Sequence, residues 1–166
     1  MTPEISALLA QLRESLAIPT VGQSDGMCGP ASLKAALQFY GVEVPEPVLK
    51  RLSDATTKDG ASPQGLAQAA IELGFKAEVR EHVTFEELRA WVAEGVAVIV
   101  DWFDQNMGHY SVVKDVTDKD IVLMDPSDGG FTRRMKLADF KKVWFDFVDW
   151  DMANTTRRLA VVIRRP

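Results

Sequence analysis

Along residues 4–16 the apolar positions Ile5, Leu8, Leu9, Leu12 and Leu16 recur at spacings of three and four, which predicts an amphipathic helix that Pro19 ends. The same period returns from Cys28 to Tyr40 in Leu33, Ala36, Leu37 and Tyr40. Pro30 suits a first turn, where its missing N–H costs nothing, and Gly41 supplies a left-handed stop. "VPEPVLKRLSDAT" predicts a short helix over residues 46–54. In "ASPQGLAQAAIELGF" Ser62 is the N-cap, Pro63 opens the first turn, Leu66, Ala69, Ala70 and Leu73 share a face, and Gly74 ends the helix. Thr84 and Glu87 form a capping box for a helix that closes at Gly95.

After Gly95 the period shortens. "AVIVDWF" (97–103), "YSVVKDV" (110–116) and "DIVLMD" (120–125) are runs of β-branched and aromatic residues, and "TDKD" joins the last two as a hairpin. "FTRRMKL" (131–137) alternates, "ADFKKVWFDF" is helix-like, and "RLAVVIRR" (158–165) is a closing strand. Helices first and antiparallel strands afterwards predict an α+β fold. The expectation is one domain over residues 1–166, in which the helix of residues 1–18 is either integral or an appendage.

Composition narrows the partners. The chain has 166 residues, 46% apolar and 26% charged, which suits one packed core. A net charge of −5, with basic residues only in short pairs, gives no face for phosphates, so nucleic acid is excluded as a partner. No stretch reads as a membrane segment or a signal peptide, and the expected compartment is the cytoplasm. One cysteine and two histidines, His82 and His109, make no structural zinc set, and neither a metal nor an organic cofactor is expected.

Cys28 carries the chemical question. A thiol at a helix N-terminus meets the partial positive charge of unpaired N–H groups, which favours thiolate; equally, a free cysteine packs well as a small buried hydrophobe. His109 heads a strand directly after a loop at Gly108, and Asp125 ends the following strand, so both side chains fall at the open end of one hairpin. A carboxylate there can hold one imidazole nitrogen and leave the other to take the thiol proton. Taken singly, His109 reads as a strand-edge residue satisfied by backbone and Asp125 as a turn former; together with Cys28 they make a nucleophile, a base and an orienting acid. Gln23 is either an oxyanion donor beside the Cys28 N–H or a loop residue. Trp91, Trp102, Trp144 and Trp150 read as core or cleft wall, Asp101 and Asp104 as solvated, Gly129-Gly130 as a turn, and His82 as surface.

In order along the chain, "QSDGMCGPASL", "DGASPQGL", "AIELGF", "GHYSVV" and "LMDPS" resemble cysteine peptidase family 39, the papain-like enzymes that remove double-glycine leaders from bacteriocin precursors. The resemblance spans about residues 20–130. It implies a papain-like fold, with Cys28 as nucleophile, His109 as general base, Asp125 as orienting acid and Gln23 as oxyanion donor. The implied activity is hydrolysis of a peptide or protein substrate through an acyl-enzyme. Family members are often fused to an exporter; no G-x-x-x-x-G-K-[ST] occurs here, so a transporter partner would be a separate, unknown chain. The alternatives are a transpeptidase or acyltransferase using the same three residues, and a non-catalytic peptide-binding module on the same scaffold.

Overall fold

The computed structural model describes residues 1–5, 8, 15–148 and 151–166. The helix expected over 4–16 and Trp150 therefore lie largely or wholly outside the described residues. Helices α1 (Cys28–Phe39), α2 (Glu46–Leu52) and α3 (Pro63–Glu72) come first, then strand β1 (Lys76–Arg80) and helix α4 (Phe85–Ala93). Strands β2 (Ala97–Asp104), β3 (Met107–Val116), β4 (Asp120–Asp125) and β5 (Phe131–Lys136) follow. Helix α5 (Leu137–Val143) and strands β6 (Phe145–Phe147), β7 (Thr155–Arg157) and β8 (Leu159–Arg164) complete the order. No helix among the described residues is long and apolar enough to cross a membrane.

The end signals work as the sequence predicts. The Ser62 hydroxyl accepts from the Gly65 N–H at 3.0 Å, and Thr84 and Glu87 close a reciprocal capping box on α4. Gly41 and Gly74 follow their helices at φ +85° and +92°, where a Cβ would be strained.

Six strands form an antiparallel sheet in the order β1-β8-β2-β3-β4-β5, and β6 and β7 pair as a separate ribbon. β2 and β8 are apolar almost throughout and buried from Ala97 to Trp102 and from Leu159 to Ile163, as strands covered on both faces must be. Cross-strand partners share a face: Trp102 sits opposite His109, and Asp101 opposite Tyr110. The Trp102 face meets Phe140 of α5, which in turn touches Phe85 at the start of α4 and Trp144. The Tyr110 face meets α1 at Gly29, whose missing Cβ would stand 3.2 Å from the Tyr110 ring and 3.3 Å from Leu66 of α3.

Four expectations change. The stretch "ADFKKVWFDF", expected as helix-like, is helical only as far as Val143, and Phe145–Phe147 pair as β6 instead. β3 begins at Met107, because Gln105 and Asn106, both at positive φ, make a two-residue turn; Gly108 is therefore paired with Phe103 inside the hairpin rather than in a loop. β1, "KAEVR", was not expected: it is a charged edge strand whose polarity hides it from a pattern search. Asp101 is 3% exposed within β2 and Asp104 is partly buried at its end, so neither is a solvated flank.

Tyr40 ties the C-terminal end of α1 to the sheet. Its hydroxyl donates to the Ile163 carbonyl at 2.5 Å and accepts from the Ala97 N–H at 2.8 Å, at the point where β8 and β2 pair. Tyr40→Phe leaves both buried backbone groups unpaired and is expected to cost about 1–3 kcal/mol of unfolding free energy. Urea denaturation measures it; an unchanged midpoint would show that these bonds contribute nothing.

Candidate active site

The turn before α1 aims its first residue. The Ser24 side chain and N–H both bond the Glu46 carboxylate, and the Met27 N–H donates to the Ser24 carbonyl at 3.0 Å. Gly26 lies at φ +72°, with its absent Cβ only 2.5 Å from the Thr57 carbonyl oxygen, so no other residue fits there without displacing that loop. Cys28 is consequently the first residue of α1, partly buried, with an N–H that has no intrahelical acceptor.

His109 comes from β3 and Asp125 from the end of β4, adjacent strands in the sheet. The imidazole Nε2 lies 2.7 Å from Asp125 Oδ1, which leaves Nδ1 for the Cys28 thiol, a hydrogen-bond and charge partner of the ring. Trp102 packs edge-on against the imidazole, with ring centroids 5.5 Å apart, and donates its indole N–H to Ser111 at 3.1 Å. It is buried beneath the histidine rather than lining an open groove.

Asp125 is fully buried and its oxygens are claimed. Oδ1 accepts from the Ser127 N–H at 2.9 Å as well as from His109, and Oδ2 accepts from Arg133 Nε at 2.7 Å. Burial alone raises a carboxyl; here the His109 bond, the Ser127 N–H and Arg133 outweigh it and hold Asp125 well below the usual carboxylate range. His109 is pushed up to about 9: burial opposes its charge, but the bonds and charges of Asp125 and Cys28 prevail. The Ser127 hydroxyl stands 3.3 Å from Nε2.

Gln23 is on the same side of the molecule. Its N–H donates to the Pro126 carbonyl at 3.0 Å, one residue past Asp125, so the segment before Cys28 and the segment after Asp125 are stitched together. Its amide Nε2 rests 3.4 Å from the Ser24 carbonyl, and its Oε1 is buried without a partner. The four residues singled out in the sequence thus lie around one place, Gln23 through its backbone and Cys28, His109 and Asp125 through their side chains.

Sequence reasoning passed over Arg133, Ser127, Glu46 and Asp146. Arg133 is revealed only by the β4–β5 register and Ser127 by the turn after Pro126, whereas Asp146 lies in a stretch whose sequence reads as helix-like but which pairs as β6. Asp104, His109 and Asp125 are close enough to form a metal-ligand set, but Arg133 already places its guanidinium 2.7 Å from Asp125 and 3.7 Å from Asp104, so a cation would meet a charge already present.

These shifts make stability depend on pH. His109, raised from 6.5 to about 9, contributes in full below about pH 6.5 and loses its contribution as pH rises through 9. Asp125 contributes above its ordinary 3.8 and loses its contribution as pH falls below that. Urea titrations between pH 6 and 10 should show a decline of about 3 kcal/mol that disappears in His109→Gln. A wild-type profile flat across that window would contradict the buried pair.

The Peptidase C39 family model matches residues 17–148. The chain is 33% identical over 122 residues to the pediocin PA-1 transport/processing ATP-binding protein of Pediococcus acidilactici, covering 70% of this chain but only 16% of that protein. It is 34% identical over 130 residues to an uncharacterised protein of Methanothermobacter marburgensis, covering 75% and 81%. In three dimensions it resembles the peptidase domain of Streptococcus ComA, an ABC transporter involved in quorum sensing, with a TM-score of 0.67 and 21% identity over 90% of this chain and 99% of that one. A double glycine motif protease from an AMS/PCAT transporter, solved with its leader peptide, gives a TM-score of 0.70 and 20% identity over 93% and 96%.

Proposed function

The chain belongs to the peptidase C39 family, and on that premise we propose that it is a cysteine peptidase that hydrolyses peptide bonds through an acyl-enzyme on Cys28. The observation that carries the reading is the position of His109, with one ring nitrogen on a buried carboxylate and the other left to the thiol at the start of α1.

The steps follow from that geometry. With its pKa raised to about 9, His109 already holds the proton as an imidazolium that the Asp125 charge stabilises, and Cys28 Sγ attacks the scissile carbonyl carbon as the thiolate of that ion pair. The oxyanion is met by the Cys28 N–H and by Gln23, whose amide turns from Ser24 toward the cleft. His109 then gives its proton to the leaving amine, the thioester forms, and water activated by the neutral imidazole hydrolyses it. Arg133 and Ser127 act through Asp125, fixing the carboxylate so that the ring keeps its orientation.

The substrate class proposed is a peptide with a double-glycine leader. Two relatives carry transport and processing, or a double glycine motif with a bound leader, in their descriptions. This chain spans about a sixth of the length of the transporter it matches, and the exporter of the cleaved product would be a separate partner. Within the chain, the site requires no metal or organic cofactor for these steps.

Cys28→Ala should abolish cleavage of a double-glycine peptide followed by mass spectrometry, while keeping the wild-type circular dichroism. Iodoacetamide should alkylate wild-type Cys28 at pH 6 at least about tenfold faster than His109→Ala, in which the thiolate loses its counter-charge. Turnover retained by Cys28→Ala would refute the proposal.

A further inference from the structure

Two aspartates are buried among the described residues, Asp125 at 0% exposure and Asp101 at 3%, and they are treated in opposite ways. Asp125 receives a histidine, a backbone N–H and an arginine. Asp101 receives only another carboxyl: it is hydrogen-bonded to Asp146 of β6, and its Oδ1 has no partner. No lysine or arginine of the described residues pairs with either of these acids.

The pair is built into the fold rather than left by a flexible side chain. Gly108 lies two residues before Tyr110 on β3, and a Cβ there would stand 2.1 Å from Asp146 Oδ2. The bare backbone at that position therefore admits the carboxylate against the sheet. Burial, then the charge and hydrogen bond of Asp146, push Asp101 well above the usual carboxyl range, and burial raises Asp146 as well. Two carboxyls brought together in a buried site disfavour each other's ionisation.

The pair has an open side and a wall. Asp101 is buried, whereas Asp146 is half-buried and provides the solvent-facing edge. Its sequence neighbours Phe145 and Phe147 pack on Phe103, with ring centroids 5.2 and 5.3 Å away, and all three rings are half-buried. Carboxylate and aromatic faces together are the surroundings an ammonium prefers. The other titratable groups facing Asp101 are Cys28 from α1 and Tyr110 from β3, and the hydroxyl of Tyr110 is engaged with the Ala61 carbonyl at 2.9 Å. Asp101 thus feels the Cys28 charge from the strand face opposite His109.

We propose that Asp101 and Asp146, rimmed by Phe103, Phe145 and Phe147, form a subsite for an ammonium group of the peptide substrate, either a lysine side chain or a free α-amine. The inference rests on the reading of Cys28 as the nucleophile, since that reading makes the neighbouring space a substrate cleft. It adds a charge requirement that two glycines cannot supply. Asp146 touches the ammonium; Asp101 is a positioning residue behind it. An ammonium entering there favours the ionised form of both carboxyls, and any proton they release passes to water.

The test uses full-length Cys28→Ala, so that binding is read without cleavage. Isothermal titration at pH 7.5 and low salt would compare blocked hexapeptides around a central Gly-Gly, each with one lysine at a different outer position, against norleucine counterparts. An all-alanine version with a free α-amine would be compared with its acetylated form. At least one charged peptide should bind about tenfold more tightly than its uncharged partner. The preference should be lost in Asp146→Asn and in Asp101→Asn, and should shrink as salt rises. Asp146→Asn, at the half-buried edge, keeps the test decisive if Asp101→Asn does not fold. Equal affinity of every charged and uncharged pair, or a preference that survives Asp146→Asn, would overturn the subsite. Slow alkylation of wild-type Cys28 alongside an intact lysine preference would instead remove the peptidase reading and leave the ammonium site standing.

Discussion

A carboxylate with no exposed surface stands at the end of β4, and the site is organised by what Asp125 demands. An ionised group taken out of water costs several kcal/mol unless donors replace the lost hydration. Here three donors do so, and each comes from a different direction. The neighbouring strand β3 brings His109, the turn after Pro126 brings the Ser127 N–H, and β5 brings Arg133 across the ladder. Because the β3–β4 and β4–β5 registers fix which residues can reach Asp125, the orientation of the imidazole is a property of the sheet rather than of a loop.

The thiol is delivered by the opposite half of the chain, and its placement is a problem of close approach. Small residues solve it. Gly29 lets α1 lie against Tyr110 and Leu66, and Gly26 lets the preceding turn pass the Thr57 carbonyl. Glu46 pins that turn through Ser24, so the first residue of α2 also fixes the first residue of α1. Farther along α1, Tyr40 bonds to the strand pair that carries Ala97 and Ile163. The helix is held at both ends against the sheet that supplies the histidine, which limits how far sulfur and imidazole can drift apart.

Much of this is legible in the sequence where one local signal decides the outcome. Caps at Ser62 and Thr84, stops at Gly41 and Gly74, and the apolar runs of β2, β4 and β8 each fix their element without help from elsewhere. The hairpin logic places His109 beside Asp125, and the start of α1 presents Cys28. What escapes is whatever depends on register or on an edge. β1 is too charged to look like a strand, the β6–β7 ribbon has only three residues a side, and Arg133 meets Asp125 only once β5 is paired. Asp101 misleads for a related reason: in sequence it interrupts an apolar run as a solvated acid would, yet β2 is covered on both faces and carries it inside.

The two buried aspartates differ in proton, and that difference bears on the sulfur between them. Asp125 is ionised and reaches Cys28 only through a cationic ring, so its charge helps the thiolate by sustaining the imidazolium. Asp101 feels the sulfur's charge directly, with no cation between. Were Asp101 ionised, the thiolate would face an uncompensated like charge from the Tyr110 side, working against the imidazolium on the other. Because burial and Asp146 both disfavour that ionised form, Asp101 can share the sulfur's surroundings without cancelling the effect of His109. An ammonium arriving at Asp146 performs the same service with its own charge.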